Sequence, residues 1–319
     1  MSEPLGTKRP VVQAGMGGGV ARHELAAAVS EAGGLGTLGL LPPERLREEL
    51  AAARRLTAHP IAVNLLLPFA APAHWEVAAR ADAVVTFWGR PERRTPRVWI
   101  HQCGSVAEAL AAHAAGADAV IAQGREAGGH VRGTTPALEL LEQVRAALPA
   151  GFPVLVAGAL ADAGDVRRAL DAGAAAAVLG TRFLLSEESR AHPRYKRAAL
   201  EGRDTVLTEL FGLGWPAAPH RVLPNAATRR WPSDGGSTSR ALGIAQRVLS
   251  PLARRAPEQA QQRAAAAQRP ALPLLSPFAP VDDAPLGRLL DAGALYAGET
   301  VARIDALAPA ERLVRDLTP

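Results

Sequence analysis

Cysteine is almost absent from this chain of 319 residues, with Cys103 as its single representative. One cysteine excludes an intrachain disulfide and a zinc site built on thiolates. The chain also lacks an apolar run near the roughly 20 residues that a membrane-spanning helix needs. Met1–Pro10 contains no apolar stretch of the kind found in signal peptides. These absences lead us to expect a cytoplasmic protein without a membrane partner.

Aromatic residues and lysines are also scarce. Aromatics make up 4% of the chain, whereas alanine supplies much of its 48% hydrophobic fraction. Such a composition favours helices and close helix–sheet contacts over a sandwich of bulky strands. Lys8 and Lys196 are the only lysines, and the formal net charge of +5 comes from arginines scattered along the chain. Because a nucleic-acid-binding protein concentrates its charge on one element, we expect no nucleic-acid partner.

Short apolar runs alternate with amphipathic segments through the first 200 residues. Near-continuous apolar runs are typical of parallel strands covered on both faces, and eight of them with helical crossovers indicate an α/β fold, the (β/α)8 TIM barrel. The predicted strands are Val11–Gln13, Leu35–Leu38, Ile61–Asn64, Ala83–Thr86, Val98–His101, Ala119–Ala122, Val154–Ala157 and Ala176–Leu179. The predicted helices include His23–Glu31, Pro43–Leu56, Val106–Ala114, Pro136–Leu148 and Asp162–Leu170.

A weak internal repeat supports the alternation. In Ala109–Ile121 and again in Ala169–Leu179, a helix stops at a glycine suited to a left-handed cap and a strand follows directly. Ala28–Leu38 carries a looser version of the same joint. One interval fits poorly, since Phe87–Arg97 is short for a parallel crossover and contains two prolines. Either this crossover is nearly extended, or one of its flanking strands is misplaced.

After Leu200 the pattern changes to a stretch rich in proline and turns. We therefore divide the chain into a barrel at residues 1–201, a mainly helical cap segment at 202–284 inserted after the eighth strand, and a C-terminal segment at 285–319. Val301–Leu317 is predicted to be the last helix, packing back on the barrel. Within the cap we expect a polar loop at Ser233–Ser237 and a helix at Gln259–Gln268.

The strongest candidate for chemistry is His130, in the segment Gln123–His130 that follows the sixth predicted strand. Barrel enzymes build their active sites at the carboxyl ends of their strands. Gly128 and Gly129 remove side-chain bulk beside an imidazole that titrates near neutrality, so a flat ligand could approach the backbone there. The alternative is a loop histidine that makes a structural hydrogen bond next to a glycine turn.

Glycine turns follow the last two predicted strands, at Gly158-Ala159 and at Gly180-Thr181. Backbone N–H groups at such turns can converge on an anion, and the dipole of the helix near Asp162 would favour negative charge. These turns predict a phosphorylated ligand, the alternative being plain turn chemistry. The glycine-rich loop Ala14–Gly19 would border a flat cofactor, and Asn64 offers both a donor and an acceptor to a polar ring edge.

Two residues at the end of the fifth predicted strand have less defined roles. His101 could face the barrel mouth, and we leave ligand contact and a structural role both open. Cys103 is interpreted as a small buried thiol. The remaining histidines are treated as structural, and no spacing of His, Asp and Glu predicts a metal site.

These motifs together resemble the nitronate monooxygenase family, formerly called 2-nitropropane dioxygenases. Glu126-Ala127-Gly128-Gly129-His130 is the most specific of the matching blocks. The other matches, spread over nearly the whole chain, are Gln13-Ala14-Gly15-Met16, Ala32-Gly33-Gly34-Leu35-Gly36, Asn64, Gln123-Gly124, Leu179-Gly180-Thr181-Arg182-Phe183, Glu188-Ser189, Asp204-Thr205 and Tyr296-Ala297-Gly298-Glu299.

The resemblance implies an FMN cofactor at the barrel mouth, with its phosphate at Gly158 and Gly180-Thr181. His130 would be the catalytic residue, abstracting a proton or orienting the nitro group. Family members oxidise alkyl nitronates with O2, through a reduced flavin, to a carbonyl compound and nitrite. The implied partners are a small nitronate or nitroalkane and O2, and a homodimer is compatible with the sequence. The implied cofactor-binding residues are Ala14, Gly15, Met16, Asn64, Gln123, Gly128, Gly129, Gly158, Leu179, Gly180 and Thr181.

Some positions depart from the family pattern, and other functions stay open. Gly15 stands where a proline is common, Ala159 stands where a second glycine is common, and Arg132 follows His130 closely. The nearest alternative is a flavin-dependent enoyl-ACP reductase that uses NAD(P)H, because its family also has a Gly-Gly-His block. An alternative of another class is a non-catalytic flavin-binding accessory protein.

Overall fold

The computed structural model describes residues 5–233, 240–271 and 276–319. Most of the polar loop predicted at Ser233–Ser237, from Asp234 onward, lies outside these residues. The chain forms two compact units. The barrel unit comprises Met1–Glu126, Arg132–Ser189 and Ala306–Pro319, and the second unit comprises Ala127–Val131 and Arg190–Asp305.

The strands of the described residues form one parallel sheet and one antiparallel sheet. In chain order they are β1 (Val11–Gln13), β2 (Gly36–Leu38), β3 (Ile61–Leu66), β4 (Ala83–Phe87), β5 (Val98–Cys103), β6 (Ala119–Gln123), β7 (Gly129–His130), β8 (Val154–Ala157), β9 (Ala177–Leu179), β10 (Val206–Thr208) and β11 (His220–Val222).

Eight parallel strands form the barrel, in the order β1-β9-β8-β6-β5-β4-β3-β2. A parallel bridge between Val12 and Leu35 brings β1 next to the entry of β2. The side chain of Gln13 reinforces this junction, because its Oε1 accepts a hydrogen bond from the Thr37 N–H at 2.9 Å. The predicted (β/α)8 architecture is therefore confirmed, with all eight predicted strands in place.

The barrel core follows from the two-residue period of its strands. Val12 packs with Ile100, Ile121 and other alternate strand residues in one buried cluster. Its neighbour Val11 belongs instead to a cluster that includes residues of the surrounding helices. Both faces of each strand are thus buried, which explains why the strands appear in the sequence as continuous apolar runs rather than as alternating ones.

The helices surround the barrel or belong to the second unit. They are α1 (His23–Glu31), α2 (Pro43–Leu56), α3 (Pro72–Ala78), α4 (Val106–Ala114), α5 (Ala137–Ala147), α6 (Ala163–Asp171), α7 (Thr181–Leu184), α8 (Pro193–Glu201), α9 (Ala226–Arg230), α10 (Arg240–Arg255), α11 (Glu258–Ala267), α12 (Leu289–Ala292) and α13 (Ala310–Leu317). Two 3-10 helices lie at Leu67–Phe69 and Glu299–Arg303. None of the helices in the described part of the chain combines the length and apolarity needed to span a bilayer.

The repeated joints predicted from the sequence are helix caps of one kind. Gly33, Gly116 and Gly173 have φ values of +93°, +88° and +88°, in the left-handed region that favours glycine. Each donates its N–H to the carbonyl three residues earlier, at 2.9, 2.9 and 2.8 Å. The N–H of the residue after each glycine donates to the carbonyl one residue earlier in the helix than the one that the glycine uses. Each helix therefore ends in the same pair of hydrogen bonds.

The crossover at Phe87–Arg97, which fitted the predicted barrel poorly, is nearly extended. Residues 88–97 contain no helix, yet β4 and β5 are parallel neighbours, with Ala83 opposite Val98. Both flanking strands were therefore placed correctly. The last predicted helix was wrong at its start, because Glu299–Arg303 is a 3-10 helix and α13 begins only at Ala310. Pro309 explains the break, since its ring removes a backbone donor and it lies at the N-cap with φ −58°.

The second unit contains α8 to α12 and a small antiparallel sheet in the order β10-β11-β7. The central strand β11 pairs His220 with His130 and Arg221 with Gly129. On its other edge, β11 pairs with β10, where Leu207 lies opposite Arg221. A sheet in this part of the chain was not predicted, because strands of two or three residues are too short to show a period in the sequence.

Candidate active site

The loop after β1 lies against Asn64 of β3. A Cβ built on Gly15 would come within 2.3 Å of the Asn64 Cβ, so only glycine allows this approach. Asn64 is 7% exposed, and its amide donates to the Val85 carbonyl at 3.3 Å. The structure thus brings together Gly15 and Asn64, two of the residues predicted to border a flat cofactor.

The same loop also adjoins the turn after β9. The Ala14 N–H donates to the Leu179 carbonyl at 3.0 Å. A Cβ on Gly180 would lie 3.8 Å from the Ala14 Cβ, which is an ordinary contact. Because β8 and β9 are neighbours, with Ala157 opposite Val178, the turn at Gly158 lies beside this region.

The two predicted phosphate turns present backbone donors. Within the described residues, the N–H groups of Gly158, Ala159 and Gly180 make no backbone hydrogen bond. Gly158 and Ala159 have φ values of +105° and +58°, so the chain turns sharply after β8. Amides held in such turns form a concavity suited to an anion.

Two side-chain carboxylates lie at the N-terminus of α6, the helix whose dipole was expected to favour an anion. Asp162 accepts a hydrogen bond from the Asp165 N–H at 3.0 Å, and Asp165 Oδ2 accepts from the Ala161 N–H at 2.7 Å. Two carboxylates of the protein itself therefore occupy the first turn, where an anionic ligand was expected. These carboxylates complement the dipole at the N-terminus of α6, and the expected contribution of that dipole to anion binding stays a prediction.

Gln123 and Arg132 form a second group in the barrel unit. Gln123 Oε1 accepts a hydrogen bond from the Arg132 N–H at 3.3 Å. The Arg132 guanidinium pairs with Glu108 and lies 5.0 Å from the centre of the Trp88 ring. This arginine, whose role the sequence left undefined, is thus held by one carboxylate and one aromatic face.

His101 lies in a buried network inside the barrel. Its Nδ1 is 2.7 Å from the Thr86 hydroxyl, which also accepts a hydrogen bond from the Trp99 indole at 2.8 Å. Burial lowers the pKa of His101 to about 4, so the ring is neutral near pH 7. Cys103 is buried, and burial raises the pKa of its thiol, which confirms the interpretation of a structural cysteine.

His130 lies on β7 of the second unit, in a group of rings that we call the aromatic box. The indole of Trp215 stacks on the imidazole with ring centres 3.9 Å apart and planes inclined by 26°. His220 and Tyr296 lie around the same imidazole at 5.2 and 5.7 Å. The box comprises His130, Trp215, His220 and Tyr296, and it fixes the imidazole on several sides.

His220 is held as a neutral ring. Its Nδ1 lies 2.9 Å from the Ala218 carbonyl and so carries the proton, while Nε2 accepts from the Phe211 N–H at 3.4 Å. Burial lowers the pKa of His220 to about 4. Burial also lowers the pKa of His130 well below its ordinary value, and the neighbouring His220 lowers it further. Near neutral pH, His130 is therefore an imidazole that can accept a proton.

Gly128 is the contact point between two of the sequence motifs, Glu-Ala-Gly-Gly-His and Tyr-Ala-Gly-Glu. A Cβ on Gly128 would lie 2.5 Å from the Gly298 nitrogen and 2.6 Å from the Ala297 carbonyl carbon. Gly128 thus packs backbone to backbone against Ala297 and Gly298 of the Tyr-Ala-Gly-Glu segment. The Tyr195 hydroxyl donates to the Tyr296 carbonyl at 2.5 Å and anchors the second segment from α8.

The predicted site residues therefore fall in both units. Gly128, Gly129 and His130 belong to the second unit, and the other predicted cofactor-binding residues belong to the barrel unit. The sequence does not point to Trp215 and His220. The one sequence signal for Trp215 is the rarity of tryptophan, with 5 in the chain, and no such signal exists for His220.

Comparison with known proteins gives a consistent result. The sequence model of the nitronate monooxygenase family matches residues 1–92 and 90–319. A nitronate monooxygenase of Pseudomonas aeruginosa is 32% identical over 283 residues, covering 70% of this chain and 80% of the relative. A Mycobacterium tuberculosis relative, (3aS,4S,5R,7aS)-5-hydroxy-7a-methyl-1-oxo-octahydro-1H-indene-4-carboxyl-CoA dehydrogenase, is 34% identical over 264 residues, covering 77% of this chain and 71% of the relative.

Solved structures similar to this chain include FabK from Thermotoga maritima, with a TM-score of 0.78 and 27% identity. The similarity covers 99% of this chain and 93% of FabK. The nitroalkane oxidase of Streptomyces ansochromogenes has a TM-score of 0.72 and 28% identity, covering 99% of this chain and 96% of that protein. Both similarities extend over the barrel unit and the second unit.

Proposed function

Because the chain belongs to the nitronate monooxygenase family, we propose that it oxidises alkyl nitronates with O2 to a carbonyl compound and nitrite, using FMN. Membership makes the protein a flavin-dependent oxidoreductase. The observation that carries the more specific proposal is His130, a neutral imidazole held in the aromatic box beside two glycines. A group of this kind can take a proton from carbon or hold a nitro group in place.

The residues of the barrel unit fit an FMN phosphate. The N–H groups of Gly158, Ala159 and Gly180 make no backbone hydrogen bond among the described residues, and they adjoin one another at the ends of β8 and β9. We propose that these amides and Thr181 hold the phosphate. Asn64 and Gln123, with the backbone of Ala14, Gly15, Met16 and Leu179, would border the flavin.

FMN would supply the redox chemistry, accepting electrons from the substrate and passing them to O2. The protein's own contribution is positioning and proton handling. As a neutral base, His130 would accept the α-proton of a nitroalkane, and as a donor it would hold a nitronate oxygen. We propose that residues 202–284 form the segment that shapes the substrate pocket.

The test begins with the absorbance spectrum of the purified protein and its flavin content. Anaerobic addition of propionate 3-nitronate should bleach the oxidised flavin band, and readmission of O2 should restore it with release of nitrite. In the His130→Asn variant, bleaching by the corresponding nitroalkane, 3-nitropropionate, should slow by about 100-fold or more, as expected for loss of the general base that takes its α-proton. Bleaching by the nitronate, which has already lost that proton, should slow less. O2 consumption that is no faster than with free FMN, in the wild-type protein and in that variant alike, would instead support a non-catalytic flavin-binding protein.

A second candidate is the reduction of an enoyl thioester with NAD(P)H. It is favoured by the likeness to FabK and by the 34% identity to a relative that is named as a dehydrogenase of a CoA ester. The same anaerobic experiment separates the two candidates. Rapid bleaching by NADH, with none by the nitronate, would favour the reductase and contradict our proposal.

A further inference from the structure

Within the described residues, Trp215 lies closer to the His130 ring than His220 or Tyr296 does. The two rings are stacked at 3.9 Å, whereas His220 and Tyr296 lie at 5.2 and 5.7 Å and are tilted by 58° and 43°. Trp215 is 6% exposed, so its indole is enclosed by protein. A stack of this kind restricts rotation of the imidazole about its side-chain torsion, because the ring would collide with the indole.

The turn that carries Trp215 is fixed to α10. The Gly214 N–H donates to the Ser250 hydroxyl at 2.9 Å, and the Arg254 Nε donates to the Gly214 carbonyl at 2.6 Å. One turn earlier on the helix, the Gln246 amide donates to the Leu210 carbonyl at 2.7 Å. Gln246 and Ser250 are 1% and 4% exposed, so α10 buries polar side chains on the face that holds this turn.

The electrostatics around His130 give the stack a second consequence. An aromatic face attracts a cation, and tryptophan does so most strongly. Within the described residues, the titratable rings next to His130 are His220 on β11, which stays neutral, and Tyr296, whose pKa burial raises. The Tyr195 hydroxyl contacts the Tyr296 carbonyl, and Arg221, which follows His220 in the chain, pairs with Glu299 at 2.9 Å. The indole face therefore favours the imidazolium where burial and His220 oppose it.

We propose that Trp215 is the positioning residue for His130, fixing the plane of its imidazole and stabilising the protonated ring, with α10 holding the indole through Ser250 and Gln246. This inference rests on the proposed role of His130 as a proton acceptor. Trp215 lies in a turn between β10 and β11, outside the sequence blocks that carry the resemblance to the family.

The test uses the flavin-loaded protein and three variants, Trp215→Phe, Trp215→Leu and Ser250→Ala. At neutral pH the NMR signals of the His130 ring should lie upfield because of the indole ring current. They should move downfield in Trp215→Leu and less so in Trp215→Phe. This readout does not depend on turnover. Trp231→Phe, which changes another tryptophan of the second unit, should leave the His130 signals in place.

The pH profile of kcat/KM provides the second readout. Removing the indole in Trp215→Leu should lower the acid-limb pKa so that the proton dissociation constant rises about three- to tenfold. The plateau should fall with it, and most of that loss should be in kcat rather than KM. Ser250→Ala, which keeps the indole but frees its turn, should move both quantities in the same direction by less.

Each outcome bears on one of the two proposals. A folded Trp215→Leu protein with unchanged His130 signals and an unmoved acid limb would overturn the inference, and so would a lower plateau without a moved limb. If the wild-type protein shows no nitronate oxidation but the His130 signals move as described, the proposed function fails and the stacking role stands.

Discussion

Substitution of Gly128 by alanine tests the packing that joins the two main motifs. The added Cβ would lie 2.5 Å from the Gly298 nitrogen, about 0.9 Å short of the 3.4 Å at which contact becomes ordinary. Both colliding partners, at Ala297 and Gly298, are backbone, so no side chain can rotate away. Overpacking of a tight interior costs about 1–3 kcal/mol, and we expect the upper part of that range.

The displacement should also be felt at the aromatic box. Tyr296 directly precedes the segment that must move, and its ring lies 5.7 Å from His130. We therefore expect Gly128→Ala to lower the urea midpoint of unfolding and to reduce both flavin content and kcat. Urea unfolding followed by circular dichroism, with flavin measured by absorbance, checks these effects together.

Gly151→Ala is the matched control. Gly151 has φ +82° and no atom within 4 Å of a built Cβ, so alanine there meets backbone strain but no neighbour. That strain costs about 1–2 kcal/mol and should leave flavin content unchanged. A Gly128→Ala protein with the wild-type urea midpoint and the wild-type flavin content would refute the close approach of the two backbones.

Two further predictions concern pH and the turn at Ala159. His101 and His220 each have a pKa lowered to about 4 by burial, so the unfolded chain binds protons that the folded one does not. The contribution of this pair to the free energy of unfolding should be complete above about pH 6.5 and should fall towards pH 4, by at most roughly 2.7 kcal/mol per pH unit. His101→Gln should reduce this dependence on pH. Equal urea midpoints at pH 7 and pH 5 would contradict the prediction. Ala159 has φ +58°, so Ala159→Gly should relieve backbone strain, although the greater entropy of the unfolded glycine chain offsets part of that gain. The free energy of unfolding should rise by zero to about 1 kcal/mol, without loss of flavin. A thermal melt that shows clear destabilisation would count against this.

The barrel could be predicted because its signals are local. Each strand is a short apolar run, and the caps at Gly33, Gly116 and Gly173 repeat one hydrogen-bond pattern at successive helix ends. The final helix was misplaced because residues 301–317 keep a helical periodicity that Pro309 interrupts. Proline favours the first turn of a helix over its interior, so Pro309 itself marks the start of α13.

The candidate site was predicted only in part. His130 and its flanking glycines stand out in sequence, and the structure explains Gly128 by the approach of Ala297 and Gly298. At α6, Asp162 and Asp165 form a capping box, which their spacing in the sequence already indicates. Trp215 and His220 carried no such local pattern.

The sequence by itself determined the barrel, the glycine turns at its strand ends and His130 as the residue of interest, because each depends on neighbours along the chain. Only the tertiary structure decided the surroundings of His130. Antiparallel pairing of β7 with β11 sets His220 opposite it, and the turn held by α10 sets Trp215 on its face. These partners lie far away in the chain, and no local propensity encodes which distant rings will meet.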